Sequence, residues 1–563
     1  MAFFARTAGG ALFALALTAS IGACGHSALD LFPEDVDGGG GVGTADGGLD
    51  AEVDVDVMPA DAGVDAGCTG PSCPGTYVAG DVGSDTNPGT GFAPVKTIKK
   101  AMEIAALLGG AQDVYVAAAK YTEKVTLAER VSLLGGYDCS ALPCTWARDI
   151  ATKESTLVAP DFDGVFAPHT ITRKTLFEGF RVDGKAGTPV AVPGGAAMTL
   201  EGSPTIARCT IRGGDTTGGI VNARRSIGIS VLAPSSDPAG ARIVDNTIGA
   251  GTAAEESVGV HFQGRAAAVG SVSATLAKNR IQGGNAPSSI GIAAWSSGAG
   301  TVIRDNDILA GTSTTGGGGA WGIAVGSTMT IDGNRINVDA NAPGSCIQTV
   351  APNFCGGIVS LSSTSVITNN IIRGVKGPRS CAVALVEAEK VAGAVVLNGN
   401  TLDGGGSGPT VGLVSAAVTV RTGVGTNSIF GNVRNNILLG GSNKSRYGVF
   451  EDSVAGKTAR PAVLENNDFW NPPLASPTSD FAYRQWVAGV GTDVPFANLT
   501  TKLTALAPKD NLGVDPLFGT GFHLQTTSPV IDEGTPTEAP PRDMDGNARP
   551  QGAAVDMGAD EAR

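Results

Sequence analysis

Charged and aromatic residues are scarce in this sequence. Only 16% of its 563 residues are charged and 5% are aromatic, and the formal net charge is −14. This shortage of Lys and Arg argues against nucleic acid binding, because phosphate recognition needs a basic footprint. The chain also lacks the composition of a helical bundle: its 82 Gly and its many Val, Ile, Thr, Ser and Asn residues suit short strands and tight turns. We interpret the net acidity as a solubility feature.

The N-terminus has no apolar run long enough to cross a bilayer. Arg6 precedes a short apolar stretch at residues 11–19, and Ile21-Gly22-Ala23-Cys24 follows. This tetrapeptide resembles the lipobox of bacterial lipoprotein signal peptides. The resemblance implies a signal peptide over residues 1–23 and acylation of Cys24, which would anchor an exported protein to a membrane. An ordinary secretory signal with an incidental Cys is the alternative.

A Gly-, Ala- and Asp-rich stretch occupies residues 24–67 and contains no Lys or Arg. It cannot bury enough apolar area to offset its ordering entropy, so we predict a disordered tether. Its alternating Asp residues lack the Gly and Glu pattern of a calcium-binding loop. Gly25, rather than Asp, follows Cys24, which favours the outer membrane or the cell surface as the destination.

Eight cysteines remain after Cys24, and six of them form three local pairs. No His lies near a pair and none has the C-x₂-C spacing, so disulfides in an oxidising compartment are favoured over a metal site. The predicted disulfides are Cys68 with Cys73, Cys139 with Cys144, and Cys346 with Cys355, whereas Cys209 and Cys381 are left over.

The central part of the chain repeats an Asn-x-Ile phrase. Neighbouring copies are between 27 positions (Asn279 to Asn306) and 36 positions (Asn334 to Asn370) apart, and an earlier copy has Cys209 in place of Asn. Matching phrases about 30 residues apart predict a solenoid of parallel sheets. A propeller needs longer blades with antiparallel hairpins, which the sequence does not show. The Asn positions are Asn246, Asn279, Asn306, Asn334, Asn370, Asn400, Asn436 and Asn467.

Apolar residues flank each Asn with a period of two, as they do in short strands. We predict that the Asn lies at a bend between two strands, with an unusual backbone angle, and that stacked Asn side chains form a hydrogen-bonded ladder. A second phrase, Gly-Ile or Gly-Val, alternates with the first, so each coil contributes at least two strands. Its copies are Gly228-Ile229, Gly259-Val260, Gly291-Ile292, Gly322-Ile323, Gly357-Ile358, Gly412-Leu413 and Gly448-Val449.

Both ends of the repeat region resemble a known group of proteins. Near the start, Tyr77-Val78-Ala79-Gly80-Asp81 and a helix with Thr97 as its N-cap, ending at Gly109-Gly110, are similar to the opening of bacterial right-handed parallel β-helix proteins of the pectin-lyase-like superfamily. Ser528-Pro529-Val530-Ile531-Asp532 and Asp556-Met557-Gly558-Ala559 resemble their closing segment. The resemblance implies an all-β, right-handed parallel β-helix at 68–510, capped by the N-terminal helix, and a closing segment at 511–563.

Residues that follow the second phrase should form two outward columns on one sheet. They hold one His and one Asp among small and apolar residues, so we predict no catalytic cleft there. His261, Gln263 and Trp295 are a candidate sugar-stacking platform, with plain packing as the alternative. The first column is Ser230, His261, Ala293, Ala324, Val359, Ala384, Val414 and Phe450. The second is Leu232, Gln263, Trp295, Gly326, Leu361, Val386, Ala416 and Asp452.

The face that carries the Asn phrase holds more charge. Arg280, Arg304 and Arg335 are candidate contacts for an anionic glycan, and a solvated surface is the alternative. Near the C-terminus, Asp543, Asp545 and Asn547 imitate the start of a calcium loop, but Ala554 stands where such a loop requires Glu. We therefore predict a closing turn and no metal or cofactor, with calcium as the alternative.

Two functions fit these features. The first is a non-catalytic scaffold, anchored at the cell surface, that adheres or binds a glycan. The alternative is a polysaccharide lyase or glycoside hydrolase, although the Gly-His-Gly and Arg-x-Lys fingerprints that resemble those of polygalacturonases are absent. The predicted partners are the membrane, through Cys24, and an extracellular polysaccharide or cell-surface molecule.

Overall fold

A computed structural model describes residues 68–562, apart from 161–162, 186–195, 216–224, 234–239, 265–271, 296–299, 316–318, 340–343, 348–353, 362–363, 387–394, 408–411, 422–427, 453–458, 475–477 and 488–489. The predicted signal peptide, Cys24 and the tether lie outside the described residues. No helix in the described ranges has the length and apolar character needed to cross a membrane.

Three long sheets, named sheet 1, sheet 2 and sheet 3, make up the body. Sheet 1 contains β1 (Thr76–Val78), β2 (Gln112–Ala117), β5 (Val131–Tyr137), β8 (Leu176–Glu178), β11 (Thr205–Ala207), β14 (Arg242–Val244), β17 (Thr275–Ala277), β21 (Val302–Arg304), β25 (Thr330–Asp332), β28 (Val366–Thr368), β31 (Val396–Asn398), β34 (Ser428–Arg434) and β37 (Ala459–Glu465). Sheet 2 contains β3 (Ala119–Thr122), β6 (Ser155–Val158), β9 (Phe180–Asp183), β12 (Thr210–Arg212), β15 (Thr247–Gly249), β18 (Arg280–Gln282), β22 (Asp307–Leu309), β26 (Arg335–Ile336), β29 (Ile371–Arg373), β32 (Thr401–Asp403), β35 (Ile437–Leu439) and β38 (Asp468–Trp470).

Sheet 3 lies opposite the bend that joins the other two. It contains β4 (Val125–Thr126), β7 (Val165–Ala167), β10 (Ala196–Leu200), β13 (Arg225–Ala233), β16 (Glu256–Gly264), β20 (Ser288–Ala294), β24 (Ala320–Val325), β27 (Cys355–Leu361), β30 (Arg379–Val386), β33 (Val414–Arg421), β36 (Ser445–Asp452), β39 (Ser479–Val487) and β40 (Val490–Val494). A short extra pair joins β19 (Asn285–Ala286) to β23 (Thr312–Ser313).

Each full coil contributes one strand to each sheet, and consecutive coils pair in parallel. The chain therefore winds as the predicted right-handed parallel β-helix, with three strands in each coil. The antiparallel pair of β39 and β40 ends sheet 3. Inward aliphatic residues stack from coil to coil: Ile248 lies beside Ile281, and Ile281 lies beside Ile308. All three are almost fully buried, and each such side chain contributes roughly 1.5–3 kcal/mol by leaving water.

The predicted asparagine ladder forms at the bend between sheets 1 and 2. The side-chain amide of each Asn donates to the Oδ1 of the next, at 3.0–3.1 Å, from Asn246 along the ladder to Asn467. Asn511 adds a last rung that the repeat pattern did not reveal. Cys209 occupies the first position, where its backbone N–H donates to Asn246 Oδ1. The prediction was wrong in one detail: the residue before each Asn, such as Asp245 or Lys278, has the positive φ.

The N-terminal cap has the predicted form. Helix α1 (Ile98–Leu108) begins after Thr97, whose hydroxyl accepts the Lys100 N–H, and its apolar face, which includes Met102, is buried against the core. Gly109 ends the helix with φ of 68°. The three predicted disulfides are formed, and the two remaining cysteines of the described body, Cys209 and Cys381, are buried and form no disulfide.

The closing segment runs back along the bend that carries the ladder. Side-chain amides of Asn369, Asn435 and Asn466 donate to its backbone carbonyls at 2.7–2.9 Å. Before it, the chain forms a 3-10 helix (Phe496–Asn498) and helix α2 (Leu499–Lys502), and a second 3-10 helix (Thr520–Phe522) lies inside the segment. The segment therefore covers the edge of the last coils and leaves the earlier ones open.

Candidate functional site

The predicted sugar-stacking platform lies on the outer face of sheet 3. His261 and Gln263 belong to β16, and Trp295 directly follows the neighbouring strand β20. His261 is buried, and burial together with Arg225 lowers its pKa to about 3, so the imidazole is neutral. Trp295 is half-buried and packs on an apolar cluster of this face. The three residues are neighbours, and their role in glycan binding stays a prediction.

The three predicted arginine contacts do not share one face. Arg280 and Arg335 flank Asp307 in a column of sheet 2, whereas Arg304 lies in sheet 1, across the bend. Arg280 forms an ion pair with Asp339 at 3.4 Å. The three arginines therefore lie on two sheets that meet at the bend, and their contact with an anionic glycan stays a prediction.

One coil of sheet 3 differs in register from the prediction. Val418, and not Leu413, pairs with Val383 and Val449, so Ala417-Val418 replaces the Gly-Ile phrase in this coil. The outward columns consequently contain Thr419 and Arg421 in place of Val414 and Ala416. The error hid a charged group, because Arg421 lies beside Asp452 on the next strand.

Three arginines surround Asp452 on this face. Arg421 Nε is 4.0 Å from Asp452 Oδ2. Burial raises the pKa of the Asp452 carboxyl, although Arg421, Arg379 and Arg484 each act in the opposite direction. Asp452 Oδ2 is buried and accepts no hydrogen bond from the described residues. We call these four residues the arginine cluster.

Aromatic rings hold the arginine cluster in position. The Arg379 guanidinium lies 4.6 Å from the Phe354 ring centroid, and that of Arg484 lies 5.3 Å from the Phe450 ring. Arg484 also donates to Asp493 at 2.9 Å. The cluster combines a carboxyl of raised pKa with fixed positive charge, which is the combination that acid–base chemistry on an anionic sugar requires.

A polar cleft of about 370 Å³ opens at a different edge, between sheets 2 and 3. We call it the glycine-edge cleft. Arg181 and Asp183 of β9 line one end of the cleft. Arg212, the last residue of β12 in the next coil, lines the part beside them. Asp215 follows shortly after Arg212. The other lining residues are Gly184, Gly213, Gly214, Ala250, Gly251, Thr252, Gly284 and Asn285.

Stacked backbone forms the floor of the cleft. A Cβ on Gly284 would lie 1.9 Å from the Gly251 carbonyl oxygen, so the two coils approach this closely only with glycine. Ser257 donates to the Gly251 carbonyl and Ser289 to the Gly284 carbonyl, both at 2.6 Å. The floor is therefore a fixed polar surface.

The side chains above the floor provide hydrogen-bonding groups for a ligand. Arg181 Nε donates to both carboxylate oxygens of Asp183, at 3.0 and 2.9 Å, and its Nη1 donates to Glu154 at 3.5 Å. Asp215 Oδ1 accepts the Thr252 N–H at 2.8 Å. Arg212 and Asp215 are exposed. Arginine, carboxylate and backbone groups in a shallow cleft suit the hydroxyls of a sugar, and both carboxylates already accept hydrogen bonds.

The repeat pattern does not reveal this cleft, because strand periodicity describes only the outward columns of the sheets. The available signal was the glycine that recurs just after the second strand of several coils, such as Gly213-Gly214 and Gly283-Gly284. Within the described ranges, the one group of three closely spaced His or acidic side chains lies elsewhere, in the closing segment. Among the described residues that line the cleft, Asp183 and Asp215 are the carboxylates, and they form no group of three.

Comparisons with known proteins add only distant likenesses. No family model matches this sequence, and no curated protein matches it either. The solved complex of XylC with xylose has 10% identity and a TM-score of 0.39 over 72% of this chain and 86% of that one. Pectate lyase Pel9A has 13% identity and a TM-score of 0.36 over 88% and 98%. The Dettilon tailspike protein has 13% identity and a TM-score of 0.30 over 69% and 64%.

Proposed function

We propose that this protein is a non-catalytic, cell-surface lipoprotein that binds an extracellular glycan in the glycine-edge cleft. The observation that carries the proposal is the cleft itself, where exposed Arg212 and Asp215 stand over a rigid backbone floor. Formed disulfides agree with export to an oxidising compartment. The open polar lining suits a hydrated ligand such as a polysaccharide.

Glycan binding is tested with the intact protein on a glycan array, followed by affinity measurement for each hit. Arg212→Ala should weaken binding by about tenfold to a hundredfold, because a charged hydrogen bond contributes roughly 1.5–3 kcal/mol. Arg173→Ala is the matched control, since it removes an exposed arginine that lies outside the cleft. Equal loss in both variants, or loss only in the control, would contradict binding in the cleft.

Anchoring depends on Cys24, which the resemblance to a lipobox marks for acylation. We expect Cys24→Ser to abolish fatty acid labelling and to move the protein from the membrane fraction to the soluble fraction. Detection of the wild-type protein on intact cells by protease accessibility distinguishes the cell surface from the periplasmic side. An unlabelled wild-type protein would contradict the anchor and leave an ordinary secretory signal.

The arginine cluster favours a second candidate function, a polysaccharide lyase or hydrolase that acts on an acidic polymer. Its three arginines would neutralise a sugar carboxylate, and Asp452 would move a proton. A panel of acidic polysaccharides, assayed for new reducing ends and for the ultraviolet absorbance of unsaturated uronates, tests it. Activity in the wild type that Asp452→Asn removes would establish the enzyme and overturn the non-catalytic proposal.

A further inference from the structure

Three side chains of metal-ligand type meet in the closing segment. His523 follows the 3-10 helix Thr520–Phe522, Asp545 lies in the turn at residues 543–547, and Asp560 lies near the C-terminus. One ligand atom from each lies within 4.8 Å of the other two. His523 Nδ1 is 3.1 Å from Asp560 Oδ1 and 3.4 Å from Asp545 Oδ2. These distances bring together three pieces of chain that are separate in sequence.

The distances suit a shared metal ion. Nitrogen and oxygen ligands that bind one ion at about 2.1 Å are roughly 3.0–3.4 Å apart in octahedral or tetrahedral geometry. Both distances from His523 Nδ1 fall in this range. An imidazole with two carboxylates is a ligand set for zinc and similar transition ions, whereas calcium takes oxygen ligands.

The surrounding hydrogen bonds orient the two carboxylates. Asp560 is buried, and its second oxygen, Oδ2, accepts the Leu524 N–H at 2.7 Å, which leaves Oδ1 toward His523. Asp543 Oδ1 accepts the N–H groups of Asp545 and Asn547, which fixes the turn that carries Asp545. Partners of this kind orient the ligands of protein metal sites.

The remaining side of the group is open to solvent. The side chains of His523 and Asp545 are each 47% exposed, so water molecules can complete a coordination shell. The neighbourhood is also negative: residues 542–561 contain five acidic side chains and two arginines. The buried Arg549 forms an ion pair with Glu561 at 3.5 Å and donates to the carbonyls of Asp556 and Gly558, so it offsets one of the five acidic charges.

We propose that His523, Asp545 and Asp560 bind a divalent transition ion of the zinc type, which cross-links the closing segment to itself. The ion would link three pieces of the segment at one point. The turn at Asp543, which the sequence presents as a calcium-like pattern, would then serve to hold one ligand of this site.

Calorimetric titration of the intact, metal-stripped protein with ZnCl₂ tests the proposal. We expect one equivalent of bound Zn²⁺ that excess CaCl₂ does not displace, and slower proteolysis of the closing segment when zinc is present. His523→Ala and Asp545→Asn should each weaken binding by at least about tenfold, because each removes one of three protein ligands. His169→Ala is the control, since it removes an exposed histidine on an unrelated turn.

Two outcomes would overturn the site: no zinc binding by the wild-type protein, or unchanged binding by both ligand variants. No zinc binding would leave a histidine paired with two carboxylates. Unchanged binding by both variants would place the bound zinc elsewhere. Circular dichroism confirms that each variant is folded. If His523→Ala does not fold, Asp545→Asn decides, because it keeps the size of a half-exposed side chain.

Discussion

The two edges of sheet 2 differ in which part of the chain repeats from coil to coil: a side chain at one edge and the backbone at the other. At the asparagine edge, where sheet 1 bends into sheet 2, the same residue recurs in coil after coil and is almost fully buried from Asn246 to Asn467. At the glycine edge, where sheet 2 turns toward sheet 3, the backbone of successive coils stacks closely while the side chains differ, as those of Asp215, Thr252 and Asn285 do.

This difference indicates that the asparagine edge stabilises the fold and that the glycine edge is the place for ligand recognition. A uniform, buried asparagine satisfies the backbone groups of its bend, so variation there would leave buried donors and acceptors without partners. At the glycine edge, the stacked glycine backbone forms the floor of the cleft, and the neighbouring positions can carry different side chains. The asparagine edge is also covered by the closing segment in the last coils, whereas the glycine-edge cleft opens to solvent. Recognition is therefore expected at the second edge.

The largest expected effect comes from breaking the ladder in its middle. Asn306 donates to the Leu276 and Arg304 carbonyls and to Asn334, and its Oδ1 accepts from Asn279. Asn306→Ala leaves these buried groups unpaired and should lower the free energy of unfolding by about 3–5 kcal/mol. Chemical denaturation followed by circular dichroism measures the change.

The matched control for the ladder is Asn285→Ala at the glycine edge. Asn285 is exposed, so its replacement should change the free energy of unfolding by no more than about 0.5 kcal/mol. Similar losses in the two variants would show that the buried ladder has no special structural role and would remove the contrast between the edges.

A second prediction tests the floor of the cleft. Gly284→Ala would place its Cβ 1.9 Å from the Gly251 carbonyl oxygen and 2.3 Å from Ser257 Oγ. We expect a loss of about 1–3 kcal/mol in the free energy of unfolding, together with weaker glycan binding, because the two coils must separate. A Cβ on Gly249, two residues before Gly251, would meet nothing within 4 Å, so Gly249→Ala should be neutral. Equal stability of both variants would contradict a closely stacked floor.

The repeat itself could be read from the sequence because its physical causes are local. Ile248 and Ile281 recur at fixed offsets from an Asn, and the alternation of strands requires that they face inward. The ladder followed from the same offsets. Asn511 escaped detection because it lies 44 positions after Asn467, beyond the spacing of the other coils and without the Ile phrase.

The candidate site was harder to predict because it depends on register and on turns. The coil that contains Ala417 has no Gly in its second phrase, so a search for Gly placed the strand five residues too early and Arg421 was missed. The cleft depends on how the turns after sheet 2 stack. The periodicity of strands carries no information on that stacking. The same holds for His523, Asp545 and Asp560, which come together from three pieces of the closing segment that are separate in sequence.

The smallest expected effect concerns a carboxyl at the covered end of the asparagine edge. Asp468 stands in the outward column of sheet 2, but the closing segment buries it, and its Oδ1 accepts the Val514 N–H at 3.0 Å. Burial raises the pKa of Asp468 to about 7, with Asp515 acting in the same direction and the Val514 N–H in the opposite one. The folded protein therefore holds this proton more tightly than the unfolded chain does.

The sign of the pH dependence follows from that difference. Between about pH 4 and pH 7 the folded state binds more protons at Asp468 than the unfolded state, so stability falls as the pH rises through this window. Asp468→Asn removes this contribution, and the variant should be about 1–2 kcal/mol more stable than the wild type at pH 8 and nearly equal to it at pH 4. Urea denaturation at both pH values measures the difference. A difference that is the same at pH 4 and pH 8 would show that Asp468 is not buried under the closing segment, and the asparagine edge would then be as open at this end as the glycine edge.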